Sequence, residues 1–316
     1  MKSERLSDKL LILFLASRPK FLTASAAPIL VGSTLGFAIS GTFDWPLFLL
    51  ALFAIMFLHA GANIANDYFD HLSRNDWINK NPTPFSGGSR FIQQGLLSPK
   101  ATLLTSLLCL TIATFLGFII LLITQSVFIL VLGLVGLLGG FFYTAPPIKL
   151  GYRGIGEIVI ALLFGIFPVY GSYFLQTGSV DIIPLASAYI IAVWIFLVIL
   201  INEFPDLETD STVNKKNLIV LFGVRPGSWI YKSAITSTFV VAVASAFISR
   251  IMLLPMLLYL LFGLPLALAA FRFANPKDLS APGKTQHRAC AITILLHLVT
   301  GLTLSAGFII WAFLHS

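Results

Sequence analysis

Apolar residues in this chain run on for about twenty positions at a time, too long and too unbroken for the one-sided stripe of a soluble helix. Nine such stretches read as helices long enough to cross a hydrocarbon core of about 30 Å. They lie roughly at 21–41, 46–66, 101–123, 126–144, 154–176, 182–203, 229–248, 251–272 and 288–313. The tight turns between the third and fourth runs and between the seventh and eighth leave each pair open to reading as one bent helix. A shorter run, Leu10–Ala16, follows Lys2, Glu4, Arg5, Asp8 and Lys9 and stops at Ser17-Arg18-Pro19-Lys20, with no small-residue cleavage site. Residues 4–16 therefore read as an interfacial amphipathic helix, and 1–20 as a lead-in to the first span rather than a cleaved signal. The pattern predicts an all-α, polytopic membrane protein, one domain over residues 1–316.

Composition says the same. Of 316 residues 57% are hydrophobic and 10% charged, where soluble chains carry about 25% charged residues. The surface must be solvated by lipid, so the lipid bilayer is the first partner. The net charge of +7 then acquires a specific reading. With nine alternating spans and the N-terminus inside, nineteen of the twenty basic residues fall on the cytoplasmic face, and Arg250 falls opposite. This is the positive-inside bias. It fixes an N-in/C-out orientation and removes any need for nucleic acid to explain the charge. The long connections 67–100, 204–228 and 273–287 share that face, where function is expected. Two cysteines, Cys109 and Cys290, sit in apolar stretches and read as small buried hydrophobes.

Seven of the thirteen acidic residues fall in two short segments. The first runs Asn63-Ile-Ala-Asn66-Asp67-Tyr-Phe-Asp70 and on to Asp76; the second runs Asn202-Glu203-Phe-Pro-Asp206-Leu-Glu208-Thr-Asp210. Both begin where an apolar span ends, after spans two and six, and both carry Asn-acid-x-x-Asp. Spacings of three and four put each set along one helix face, where stacked carboxylates repel unless a cation lies between them. Mg2+ takes oxygen ligands and bridges one or two carboxylates to substrate phosphates. Two such segments, facing each other, suit a diphosphate held through two or three Mg2+ ions. As plain solvated helix ends they would be an expensive choice at a membrane boundary. Acidic pairs of this kind also serve cation-coupled transporters, which would place them on discontinuous helices deep in the membrane.

Basic groups near these segments, Arg74, Arg90, Lys149 and Arg153, are candidates to neutralise a departing diphosphate, each weighed against a simple anchoring role. The loop Phe85-Ser86-Gly87-Gly88-Ser89-Arg90 offers close backbone approach to a phosphate. His59, His71, His287, His297 and His315 show no ligand spacing, and His59 and His297 read as interior packed or hydrogen-bonded groups. Some of the 28 phenylalanines suit a groove for an isoprenoid tail.

Over essentially its full length the chain resembles the UbiA-type membrane prenyltransferases. The resemblance rests on Arg18-Pro19-Lys20-Phe21-Leu22-Thr23, Asn66-Asp67-Tyr68-Phe69-Asp70, Tyr143-Thr-Ala-Pro146-Pro147-Ile-Lys149, Arg153-Gly154-Ile-Gly156-Glu157 and Asn202-Glu203-Phe-Pro-Asp206-Leu-Glu208-Thr-Asp210. It implies nine helices around a central cavity. It also implies Mg2+-assisted departure of diphosphate from an allylic polyprenyl diphosphate, followed by attack of an aromatic acceptor on the carbocation. By the same resemblance Asn66, Asp67, Asp70, Asp206 and Asp210 hold Mg2+–diphosphate, with Glu203 close by and Tyr143 and Lys149 near the reacting end. Members acting on 4-hydroxybenzoate often carry a third aspartate where this chain has Arg74. Asp76, the Pro84-Phe85-Ser86-Gly87-Gly88 loop and the Asn202-Glu203-Phe-Pro-Asp206 form look like the branch that prenylates 1,4-dihydroxy-2-naphthoate for menaquinone, with loss of the acceptor's carboxylate. Other rings, 4-hydroxybenzoate and homogentisate among them, stay open as acceptors.

Overall fold

The computed structural model describes residues 6–79, 82, 83, 85–279 and 283–315. Lys2, Glu4 and Arg5 of the lead-in, Lys80, and Pro84 of the glycine loop lie outside the described residues. The described chain is helical, with no strand beyond one isolated bridge between Arg153 and Lys216. Helix α1 (Leu6–Ala16) carries the lead-in. Its Leu11, Phe14 and Leu15 are exposed, as an element lying in an interface requires.

Among the described residues eight helical runs are long and apolar enough to cross a membrane: α2 (Pro19–Ser40), α3 (Trp45–Leu72), α5 (Pro99–Thr124), the run α7–α8 (Gly156–Thr177), α9 (Leu185–Glu203), α12 (Val224–Ile248), α13 (Arg250–Phe273) and α15 (Lys284–His315). The expected fourth span is a shorter apolar helix, α6 (Val127–Phe141), about 22 Å long at 1.5 Å per residue. The tight pairs are separate helices. Gln125 in the left-handed region (φ 49°) turns α5 into α6, and extended Ser249 divides α12 from α13. Local chemistry marks the starts. Asp44, Ser98 and Ser126 accept hydrogen bonds from Leu47, Ala101 and Ile129 amides, with Pro46 and Pro99 at the first turns of α3 and α5.

Helix α3 packs along α5, α2 against α8, and α12 and α13 against each other. The last helix, α15, lies against both α13 and α2, so the bundle closes on itself. Small residues permit this contact in the absence of a hydrophobic drive between helices in lipid. At Gly165 a Cβ would come within 2.4 Å of the Ala192 Cα, so α9 and the α7–α8 run meet backbone to backbone. Polar groups inside pair with each other: Trp194 donates to Tyr259 (3.2 Å), and Tyr259 and Thr238 share a hydrogen bond of 2.7 Å. The outward faces of α5 and α6 are leucine, valine and phenylalanine. Cys290 is buried as expected, whereas Cys109 on α5 is only partly so.

Between α7 (Gly156–Ala161) and α8 (Phe167–Thr177) the helix widens into a π turn, Leu162–Ile166. Such turns re-aim side chains and recur at functional sites. Here the turn sets Phe164 on the wall of the central cavity, against His59, with ring centroids 4.6 Å apart.

Candidate active site

The two acidic segments end up on one cavity of about 210 Å³ at one end of the bundle. The first segment rides on α3, which continues unbroken past the apolar run to Leu72 and carries Asn63, Asn66, Asp67 and Asp70 on successive turns. Arg74, in the left-handed region (φ 64°), then reverses the chain into the short helix α4 (Asn75–Ile78). That reversal swings Asn75, Asp76 and Asn79 over the cavity.

The second segment departs from the single helix face predicted for it. Pro205, which has no amide hydrogen to donate, ends α9 at Glu203, and Asp206 starts a new short helix, α10 (Leu207–Thr212). Asn202 and Glu203 thus come from one helix and Asp206 and Asp210 from the next, all four on the cavity wall.

The asparagines of α4 tie the segments together. Asn79 donates to Asp206 (3.1 Å) and Asn75 to Asp210 (3.3 Å). Asn217 also donates to Asp210 (2.8 Å), and the Lys215 ammonium lies 3.4 Å from it. On the first segment, Arg18 forms an ion pair with Asp67 and reaches Asn66 (3.5 Å), while Asn66 and Tyr152 donate to Asp70 (3.1 and 2.8 Å). The Ser89 amide donates to Asp67 (3.2 Å). Gly88, at φ 76°, passes so near that a Cβ would meet the Asp76 carboxylate at 3.0 Å and Asp67 at 3.3 Å.

Charge is unevenly compensated. Burial works against the charges of Arg18 and Lys215, yet facing aspartates hold both pKa values above their ordinary levels: chiefly Asp67 for Arg18, and Asp210 with Asp70 for Lys215. Elsewhere the acids face each other. Burial, then Asp70 and Asp67, push Asp76 up to about 7. Burial, then Asp210, push Asp206 up to about 6. Buried oxygens of Asp67, Asn202 and Glu203 have no hydrogen-bond donor among the described residues. Asp67 lies behind the wall, but the crowded carboxylates of Asp70, Asp76, Asp206 and Asp210 and the orphaned oxygens of Asn202 and Glu203 line it, the donor chemistry of a hard divalent cation. No three acidic side chains among the described residues converge tightly enough to hold an ion by themselves.

Tyr143 lines the cavity, its ring seated on Gly151, where a Cβ would be 2.9 Å from Cζ. Burial, reinforced by Glu203, keeps its phenol protonated. Lys149, left-handed at φ 48°, lies over the Tyr152 ring at 5.2 Å rather than on the cavity wall. Arg90 donates to the carbonyls of Asp76 and Asn79 and so pins α4. Arg74 is exposed and does not line this cavity; its contribution is the chain reversal. Arg153 is likewise exposed and folds back on the Pro147 and Ile148 carbonyls of its own loop.

Sequence reasoning overlooked Arg18, Lys215, Asn75, Asn79 and Tyr152 as site residues. Lys215 enters because the 213–217 segment pairs with the loop after α6, Gly154 donating to the Lys216 carbonyl (2.6 Å) and Lys216 to that of Tyr152 (3.3 Å). Asn75 and Asn79 carried one legible signal, spacing of four on either side of Asp76.

The family model for the UbiA prenyltransferase family matches residues 25–292. The chain belongs to the UbiA prenyltransferase family. Among its relatives is the 1,4-dihydroxy-2-naphthoate octaprenyltransferase of Haemophilus influenzae, 32% identical over 72% of this chain and 74% of that protein. Another is the 2-carboxy-1,4-naphthoquinone phytyltransferase of a Synechocystis species, 24% identical over 93% and 91%. A UbiA homolog from Archaeoglobus fulgidus, solved bound to DMAPP and Mg2+, shares the fold with a TM-score of 0.69, over 93% of this chain and 99% of that one, at 16% identity. This UbiA-family chain is therefore a multi-pass membrane prenyltransferase.

Proposed function

We propose that this protein transfers a polyprenyl group from an allylic polyprenyl diphosphate to 1,4-dihydroxy-2-naphthoate, with Mg2+, at the cytoplasmic face of a nine-span, N-in/C-out bundle. The observation that carries the reading is the junction of the two acidic segments over one cavity through Asn75 and Asn79. The naphthoate-named relatives support the acceptor, and Asp76 on the cavity wall supports the same branch.

In this reading Asp67, Asp70, Asp76, Asp206 and Asp210 hold Mg2+, with Asn66, Asn202 and Glu203 beside them. Bound there, Mg2+ neutralises the charge that builds on the leaving diphosphate. Arg18 and Lys215 add fixed positive charge at the same end, and Arg90 keeps α4 over it. Tyr143, protonated and held on Gly151, has a hydroxyl proton to donate. Beneath the acids the wall turns apolar through Ala62, Ile160, Phe164, Ile195 and Val198, which keeps water from a carbocation. A second cavity of about 270 Å³, lined almost wholly by apolar groups such as Leu58, Phe118, Leu137 and Phe167, suits the hydrocarbon tail. The acceptor carbon bonds to the allylic carbon, and loss of its carboxylate as CO2 restores the ring. The acids lie at the ends of the apolar runs of α3 and α9 rather than at breaks deep within them, which argues against a transporter.

Detergent-purified protein incubated with farnesyl diphosphate, 1,4-dihydroxy-2-naphthoate and Mg2+ should yield prenylated naphthoquinol by mass. Turnover of 4-hydroxybenzoate or homogentisate in preference would move the assignment to another acceptor.

A further inference from the structure

We infer that His59, held by Ser25 at the deep end of the acid-lined cavity, binds a hydroxyl of the aromatic acceptor and so selects the ring. The inference rests on the aromatic-acceptor reading above.

His59 sits within the apolar part of α3 and is only 8% exposed, yet it lines the cavity. Its Nδ1 is 2.7 Å from the Oγ of Ser25, which is fully buried on α2. That bond fixes the ring plane, and Phe164 of the π turn packs against its side. No hydrogen bond reaches Nε2 from the described residues, and the residue lines the cavity. A polar atom at this depth in a membrane protein is costly unless something hydrogen-bonds to it.

The ligand follows by elimination on chemistry. The diphosphate belongs with the aspartates, and His59 precedes Asp67 by eight residues, about 12 Å along the helix axis. A prenyl tail is hydrocarbon and has nothing to offer an imidazole nitrogen. A ring hydroxyl does, in either tautomer: Nε2 accepts the O–H proton, or donates its own to the oxygen. No proton need be transferred. A hydrogen bond at that oxygen orients the ring, with its nucleophilic carbon turned up towards the allylic carbon. His297 shows that cavity access is the deciding observation: its Nε2 is also without a partner among the described residues, but it is buried in α15 and lines neither cavity.

The test measures kcat and KM with farnesyl diphosphate and Mg2+ for 1,4-dihydroxy-2-naphthoate and each of its two mono-O-methyl ethers. Wild type should lose about tenfold in kcat/KM on one ether and little on the other. His59→Phe keeps the ring against Phe164 but removes the nitrogen. It should raise the acceptor KM about tenfold, leave the donor KM within about twofold, and treat the two ethers alike. His59→Gln should recover part of the discrimination, and His297→Leu should retain all of it. Ser25→Ala, which frees the ring plane, should blunt the same ratio and carries the test, with His59→Gln, if His59→Phe does not fold. Unchanged ether discrimination in the His59 variants, or equal loss for donor and acceptor, overturns the inference while prenyl transfer stands. A wild-type protein that prenylates no aromatic ring overturns the parent reading with it.

Discussion

Asp67 and Asp206 belong to opposite halves of the site, and their surroundings differ. Asp67 is neutralised by Arg18, whereas Asp206 is met by the neutral side chains of Asn79 and Ser86, and burial with the facing Asp210 pushes it up to about 6. Asp206→Asn keeps the shape and removes a ligand charge. We expect kcat to fall about a hundredfold or more, with unchanged elution on size exclusion, because transition-state charge stabilisation is lost. Asp67→Asn should cost comparable activity and also release Arg18, a partly buried cation, so its melting temperature should fall as well. A melting curve beside the rate assay separates the two outcomes. Neither Arg18, noted only as the head of the Arg18–Thr23 motif, nor Lys215 was legible as a site residue, since a lone basic residue on a positive-inside face looks like an anchor. Only the packing of α2 on α3, and of the 213–217 segment on the loop after α6, brings them to the acids.

At the scale of elements, the spans were legible because lipid demands long apolar runs, and the acidic segments because acids are otherwise scarce. The break at Pro205 was present in the sequence too, but spacing of three and four invited a single helix face across it. What spacing could not convey is the α4 reversal. It depends on Arg74 adopting φ 64° and on Gly88 closing over Asp67 and Asp76, contacts between residues twelve to twenty-one positions apart. Gly88 is the sharpest probe of that device. Gly88→Ala introduces about 1–2 kcal/mol of left-handed strain and a methyl group against the two carboxylates. The expected result is at least a severalfold rise in KM for the polyprenyl diphosphate, with the acceptor KM little changed. Gly95→Ala, also at positive φ (71°) but with open space around it, should carry the strain without the kinetic effect.

For the molecule as a whole, orientation and the linkage of metal to stability are the properties to test. If the helices alternate as the basic residues imply, exposed Ser179 lies outside and exposed Thr212 inside. A membrane-impermeant thiol reagent on intact cells should label Ser179→Cys and spare Thr212→Cys; the reverse would invert the topology. The acids make the metal-free fold sensitive to pH in a direction that can be worked out. Asp76 titrates near 7 and Asp206 near 6, both above the ordinary 3.8. Between about pH 4 and pH 7 the folded chain therefore binds protons that the unfolded chain has released, so stability falls as pH rises through that window and levels off above it. With EDTA the melting temperature should be higher at pH 5.5 than at pH 8. Mg2+ with an unreactive diphosphate analogue competes for the same carboxylates, so its stabilisation should be large at pH 8 and small at pH 5.5. Metal-induced stabilisation that is flat across this range would mean that the cation is held by groups other than Asp76 and Asp206.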